Sequence, residues 1–248
     1  MTIESQADVE ALQRIGRIVS LVLQRMLDAL EPGMTTRELD ALGAQWLTEH
    51  GARSAPQLTY NFPGATCISI NEEAAHGIPG DRVIKAGDVV NVDVSAELGG
   101  YFADTGGTCV VPPGNPLKTR LCHATRTALN EAMKHARAGA RISSIGAAIE
   151  RTAKAYQFKV IENLGSHGVG RALHEAPEQI PGYFDAADRR VLSEGMVITI
   201  EPFLSTKSRI VEEADDGWTL KGVAGNLSAQ YEHTMIITRG APIVVTVH

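Results

Sequence analysis

From Asp8 to Leu30 apolar residues recur three and four positions apart: Leu12, Ile15, Val19, Val22, Met26 and Leu30. That period predicts a helix with one stripe to bury. Glu31-Pro32-Gly33 ends it, since proline cannot continue a helix and glycine turns readily out of one. Thr35, with Glu38 three positions on, forms a capping box, and a second helix follows to about His50. Strand signals come next. Cys67-Ile68-Ser69-Ile70 is short and alternating, Asp88 to Val94 is rich in valine, and Gly107 to Val111 stops at a Pro-Pro-Gly turn. Pro116 to His135 returns to the helical period. A break at Gly139 leads to another helix over about Ser143 to Gln157. The remainder reads as strands and loops, with Met196 to Ile200 and Thr234 to Thr238 the clearest strands.

The two halves echo one another. Gly33 followed by Leu39 in a helix matches Gly139 followed by Ile145 in a helix, each after a long helix and before a strand-rich block. The interval is far longer than a solenoid repeat. It points to two similar halves, each a helix pair plus a sheet, packed about one centre. No linker-like tract of Pro, Ser and Gly separates them, so residues 1–248 are expected to form a single domain. Helices and strands in blocks argue an α+β class with a largely antiparallel sheet covered by helices.

Composition narrows the function classes. With 44% hydrophobic and 21% charged residues the chain is an ordinary soluble globular protein. A formal net charge of −6 gives no basic footprint, so no nucleic-acid partner is expected. No apolar run approaches the roughly 20 residues that cross a bilayer, so no membrane partner is expected either. The first residues lack the basic start and apolar stretch of a signal peptide. Cys67, Cys109 and Cys122 are odd in number and widely spaced, against a disulfide framework or a CxxC metal clip. A reducing, cytoplasmic setting is the expectation.

Ionisable residues stand where a plain fold would not place them. Asp93 interrupts the apolar strand Val89 to Val94, on the face opposite Val92 and Val94. Asp104 follows Tyr101-Phe102-Ala103. His167 and His174 flank a glycine-rich turn, Glu201 ends the strand from Met196, and Glu232 precedes an apolar run. One buried carboxylate is commonly a structural group. Four that converge with a histidine would repel one another and could not all ionise. Two divalent cations remove that repulsion, and Asp or Glu can bridge them where neutral His cannot. One His among oxygen ligands points to Mn, Fe or Co, with Zn allowed.

In order and approximate spacing, Asp93, Asp104, His167, Glu201 and Glu232 resemble the five metal ligands of the methionine aminopeptidases. The surrounding words match as well: Cys67-Ile68-Ser69-Ile70-Asn71-Glu72, His76-Gly77-Ile78-Pro79, Asn91-Val92-Asp93-Val94, Gly168-Val169-Gly170-Arg171, His174-Glu175, Ile200-Glu201-Pro202 and Gln230-Tyr231-Glu232-His233-Thr234. The resemblance covers nearly the whole chain. It implies the pita-bread fold with internal pseudo-twofold symmetry. The short interval from Glu201 to Glu232 leaves no room for the helical insertion of type II enzymes, and no N-terminal zinc-binding extension is expected, so the resemblance is to type I.

The resemblance further implies two divalent metal ions (Co, Mn, Fe or Zn) and a bridging hydroxide as nucleophile. Asp104 and Glu232 would bridge, with His167 and Glu201 completing one site and Asp93 the other. Glu201 would accept the proton of the attacking water. His174 would donate to the scissile carbonyl, and His76 would bond the scissile amide. Substrate would be the N-terminal peptide of nascent proteins, cleaved after methionine when the second residue is small. A transient ribosome contact and a monomeric state are implied too. Phe62, Cys67 and Trp218 are candidate pocket walls, set against a core cysteine and a surface tryptophan. Thr59 and Phe62 stand where Tyr is common, and Leu173 where an aromatic is common; Thr59 and Leu173 are smaller than those aromatics, so a roomier pocket is expected. His233 is expected to be structural and Glu212 to Asp216 a solvated loop. The alternatives are an Xaa-Pro-type aminopeptidase of the same fold and a non-catalytic pita-bread binding module.

Overall fold

The computed structural model describes residues 1–247. Helix α1 (Gln6–Ala29) opens on a capping box: Ser5 accepts from the Asp8 amide while the Asp8 carboxylate takes the Ser5 amide. The helix thus begins before the first apolar residue of the stripe, and Leu12, Ile15, Val19, Val22 and Met26 are fully buried. The Thr35–Glu38 box starts α2 (Thr36–Glu49) as the sequence predicts. There follow β1 (Arg53–Ser54), the short helix α3 (Ala55–Tyr60), β2 (Cys67–Ile70) and β3 (Glu73–Ala75).

The next pair is longer than the hydrophobic pattern indicates. β4 (Val89–Leu98) and β5 (Tyr101–Val110) form one hairpin with Leu98 opposite Tyr101. Its turn is Gly99-Gly100, at φ 62° and 83°, the left-handed values a tight two-residue hairpin needs. The polar and small residues of Ser95–Glu97 and Asp104–Gly107 hide the strand period, so the glycine pair was the legible signal.

The second half repeats the plan: α4 (Pro116–Met133), α5 (Ser143–Ala155), β6 (Lys159–Val160), β7 (Gly165–Gly168), β8 (Glu175–Pro181), β9 (Val197–Ile200), β10 (Phe203–Ser205), β11 (Glu212–Glu213), β12 (Leu220–Lys221), β13 (Ser228–Gln230), β14 (His233–Ile236) and β15 (Ile243–Val244). The principal sheets run β1-β4-β2 with β5 beside β4, and β15-β14-β9-β7-β8. Every pairing between these strands is antiparallel. One core lies between α1, α2 and the first sheet, around Ile15, Met26, Leu39, Ile70 and Val92. Another lies between α4, α5 and the second, around Leu121, Leu129, Ile149, Ile200 and Met235. This is the α+β, pita-bread arrangement expected. No helix is long and apolar enough to cross a membrane among the described residues.

A seam of hydrogen bonds joins the halves where β5 faces β13 and β14. The Thr234 hydroxyl accepts from the Asp104 amide at 2.9 Å and donates to its carbonyl at 2.7 Å. The Thr105 hydroxyl donates to the Glu232 carbonyl (2.8 Å), the Glu232 amide donates to the Gly106 carbonyl (2.9 Å), and the Thr108 hydroxyl donates to the Gln230 carbonyl (2.7 Å). Asn91 on β4 reaches the Gln230 side-chain oxygen at 2.8 Å. A second tie holds the hairpin tip. Asp8 accepts from the Tyr101 hydroxyl (2.7 Å) and from Arg171 (2.9 Å), whose guanidinium lies over the Tyr101 ring.

Two outcomes follow. A Cβ at Gly106 would collide with the buried Gln230 amide, so Gly106→Ala should cost about 1–3 kcal/mol, as overpacking does. Differential scanning calorimetry should then show a loss of roughly 2–4 °C for each kcal/mol. Asp8 is held down to about 2, first by the Tyr101 hydroxyl and then by the Glu4 amide. A depressed carboxylate stabilises the fold above its unfolded value, about 4, and loses that contribution as pH falls toward 2. Urea melts between pH 5 and pH 2 should therefore show a steeper loss in the wild type than in Asp8→Asn; parallel curves would refute the assignment.

Candidate metal centre and active site

The hairpin sets the first two carboxylates. Asp93 pairs with Gly106 and Ser95 with Asp104, so Asp93 and Asp104 share one face of the sheet two positions apart in register. Val90, Val92 and Val94 take the other face, into the core under α1. Gly106, opposite Asp93, adds no side chain to the carboxylate face. The second half supplies the rest from strand ends. Ile200 pairs with His233, so Glu201 and Glu232 lie just beyond the last pair of β9 and β14. His167 comes from β7, its amide bonded to Thr199 Oγ1 at 3.1 Å, and the Glu201 amide donates to Ser166 Oγ at 2.9 Å.

These side chains converge. Ligand atoms of Asp104, His167 and Glu232 all lie within 4.8 Å of one another. His167 Nε2 is 3.4 Å from Glu201 Oε1 and 3.9 Å from Asp104 Oδ2. Asp93 stands beside Asp104 on the same face of the hairpin. Burial, followed by the charge of their neighbours, pushes Asp93, Glu201 and Glu232 well above the usual carboxylate range. Asp104 is pushed up to about 6, chiefly by burial. Asp104 Oδ1 and Glu232 Oε1 are buried with no hydrogen-bond partner among the described residues. Buried anionic oxygens left without a donor are costly, and a cation is what such oxygens suit. Two carboxylates of the cluster are aimed from behind: Gln230 Nε2 donates to Glu232 Oε2 (3.0 Å) and Thr199 Oγ1 to Glu201 Oε1 (3.2 Å). His167 Nδ1 faces the Gly168 carbonyl at 2.9 Å, which fixes the proton there and leaves Nε2 with its lone pair. Burial brings its pKa down to about 3, so the ring is neutral. The residues fit divalent metal.

Above the cluster opens a cavity of about 590 Å³. Phe62, Cys67, Leu173, Phe203 and Trp218 are among its walls, with Phe62 and Trp218 edge to face at 5.1 Å. Cys67 pairs with Asp93 across β2 and β4, and burial holds its thiol protonated. His76 lines the cavity at φ 54°, a strained value for a residue with a side chain. His174 stands at the mouth, its ring 4.1 Å from that of His167. Thr59 does not belong to this set. It is exposed, and the neighbouring Tyr60 takes the wall instead. Both sit in α3, where one residue turns the side chain by about 100°, and the frame of α3 selects Tyr60. Leu173 does line the cavity, so only part of the expected extra room remains. Nothing in the hydrophobic pattern separates Tyr60 from Thr59.

A further correction concerns Glu212 to Asp216. The stretch is solvent-exposed as expected, but it is not all loop: Glu212–Glu213 is β11, paired with β12, which pairs with β3. Asp216 accepts from the amides of Trp218 and Thr219 at 2.9 and 2.8 Å, and that turn carries Trp218 to the cavity. His233 turns away and meets Thr246 Oγ1 at 2.9 Å.

The model of metallopeptidase family M24 matches residues 10–239. "Methionine aminopeptidase 2" of Bacillus subtilis is 45% identical over 247 residues, 99% of each chain. A methionine aminopeptidase of Staphylococcus epidermidis is 46% identical over 99% of this chain and 98% of its own. Among solved structures, the methionine aminopeptidase of Thermotoga maritima superposes with a TM-score of 0.95 at 33% identity, each chain covered in full. The Pyrococcus furiosus prolidase shares the fold, with a TM-score of 0.79 at 24% identity over 66% of its length.

Cation binding should stabilise this site. Titrating Mn or Co into chelator-treated protein should raise Tm, since a ligand at one hundred times its Kd adds about 2.7 kcal/mol. His167→Ala should need far more metal for the same rise, and elemental analysis should show it depleted. A melt indifferent to metal would exclude the site.

Proposed function

The chain belongs to metallopeptidase family M24, and we propose that it is a methionine aminopeptidase that removes the first methionine of new polypeptides when the second residue is small. The observation that carries this reading is the pair of donor-less buried oxygens, on Asp104 and Glu232, beside the bare Nε2 of His167 at the floor of a largely apolar cavity. Similarity over the full length to methionine aminopeptidases supports it.

Asp93, Asp104, His167, Glu201 and Glu232 would hold two divalent ions, of Mn, Fe, Co or Zn. When bound, the ions supply Lewis acidity, polarising the scissile carbonyl and acidifying water. The remaining work belongs to the chain. The Glu201 carboxylate accepts the proton of the attacking water and delivers it to the leaving amine, a task suited to a carboxylate that burial makes more basic. His174 donates to the scissile carbonyl oxygen, where negative charge develops. His76, neutral because burial lowers its pKa, hydrogen-bonds the scissile amide. The free α-amine lies on the Asp93 side, which restricts cleavage to the first residue. Phe62, Cys67, Leu173 and Trp218 receive the methionine side chain, whose flexible thioether suits an apolar pocket of irregular shape.

His174→Ala should keep its metal and its Tm yet lose a factor of about 10²–10³ in kcat, the usual cost of one oxyanion donor. Metal loss matching that of His167→Ala would assign His174 to the ligand set instead. Met-Ala-Ser should be cleaved in preference to Leu-Ala-Ser and to an Xaa-Pro peptide. Faster turnover of either competitor would remove methionine from the proposed activity.

A further inference from the structure

The cavity holds two histidines whose rings are supported from behind by groups of opposite kind. Behind His167 stands a carbonyl, which only accepts, so its proton is on Nδ1 and its lone pair on Nε2. Behind His174 stands the Tyr60 hydroxyl, 2.8 Å from Nδ1. A hydroxyl both donates and accepts, so acidity decides the direction. Phenol is the better proton donor and a neutral imidazole nitrogen far the better acceptor, so the Tyr60 O–H donates and Nδ1 receives. With Nδ1 bare, the single ring proton of His174 is on Nε2.

We propose that Tyr60 is a positioning residue: its hydroxyl orients His174 and holds it in the tautomer that offers an Nε2 proton to the substrate carbonyl, the reverse of the tautomer held at His167. The inference rests on the role given to His174 above. Its geometry is independent of that role. Tyr60 is the last residue of α3, and Asn61 caps that helix in the left-handed conformation at φ 56°. The tyrosine ring stands 5.6 Å from the imidazole, tilted by 45°. The helix comes from the first half of the chain and His174 from the second. His174 is open to solvent at the cavity mouth, where water alone would leave its ring free to turn. The tyrosine hydroxyl supplies the restraint that the buried His167 receives from its own backbone.

The test is Tyr60→Phe, which keeps the ring and removes the hydroxyl. In the metal-loaded enzyme kcat on Met-Ala-Ser should fall about fivefold to tenfold, the worth of one hydrogen bond, with KM, metal content and Tm unchanged. In a His174→Ala background the same change should have no further effect on kcat. Isotopically labelled histidine gives a readout that needs no turnover. In the metal-free and zinc-loaded wild type, nitrogen resonances should show His174 protonated on Nε2 and bare on Nδ1, with the Nδ1 signal moving in Tyr60→Phe. An unchanged kcat in Tyr60→Phe, an equal loss in the His174→Ala background, a rise in KM alone, or a wild-type His174 protonated on Nδ1 would each overturn the proposal. Absence of cleavage by the wild type would refute the function instead, and the resonances would still decide the role of Tyr60.

Discussion

Four carboxylates crowded around one histidine repel each other, and much of this fold is organised around making that repulsion tolerable. In water the groups would ionise apart. Here burial holds Asp93, Glu201 and Glu232 well above their usual range and lifts Asp104 to about 6. Such an arrangement stands only if the scaffold restrains the carboxylates while it leaves oxygens free for a cation. Both conditions are met. Gln230 and Thr199 each hold one oxygen of Glu232 and Glu201, whereas Asp104 Oδ1 and Glu232 Oε1 are left without a donor.

The division of labour between the halves follows from strand geometry. A hairpin can place two side chains on one face at fixed spacing, and β4–β5 does so with Asp93 and Asp104. Strand ends can aim side chains past the last backbone pair, and β9 and β14 do so with Glu201 and Glu232. His167 arrives on β7 and His174 on the glycine-rich segment that follows it. Arg171 stacks on Tyr101 and reaches Asp8, and its amide donates to Glu175, so the segment bearing His174 is tied to the hairpin tip. Polar side chains at the seam hold the two contributions in register.

Much of this was legible in the chain itself. The apolar stripe of α1, the Thr35–Glu38 box and the isolated Asp93 within a valine run each have a local physical signature, and each stands where the sequence indicates. The five convergent ionisable residues could be picked out because each is costly where it sits. The features that escaped are non-local. Thr59 and Tyr60 are neighbours of similar polarity, and only the rotation of α3 within the fold decides which one faces the cavity. The length of β4–β5 was obscured because its second half buries small and polar residues against the other half of the molecule. The acidic run is solvated, yet Asp216 within it accepts from the Trp218 and Thr219 amides and so supports a cavity wall. Resemblance to the methionine aminopeptidases supplied what period and spacing could not, namely the roles proposed for the converging groups.

The seam has a mechanical consequence. Glu232 hangs from Gly106 through its amide, from Thr105 through its carbonyl and from Gln230 through its side chain, and Gln230 is held in turn by Asn91 on β4. The bonds that fasten one half to the other are therefore the bonds that aim this carboxylate. Motion between the halves along this seam would displace the Glu232 carboxylate. The floor of the cavity is thereby built as rigidly as the join between the halves, while Tyr60 and His174 stand at its solvent-exposed mouth.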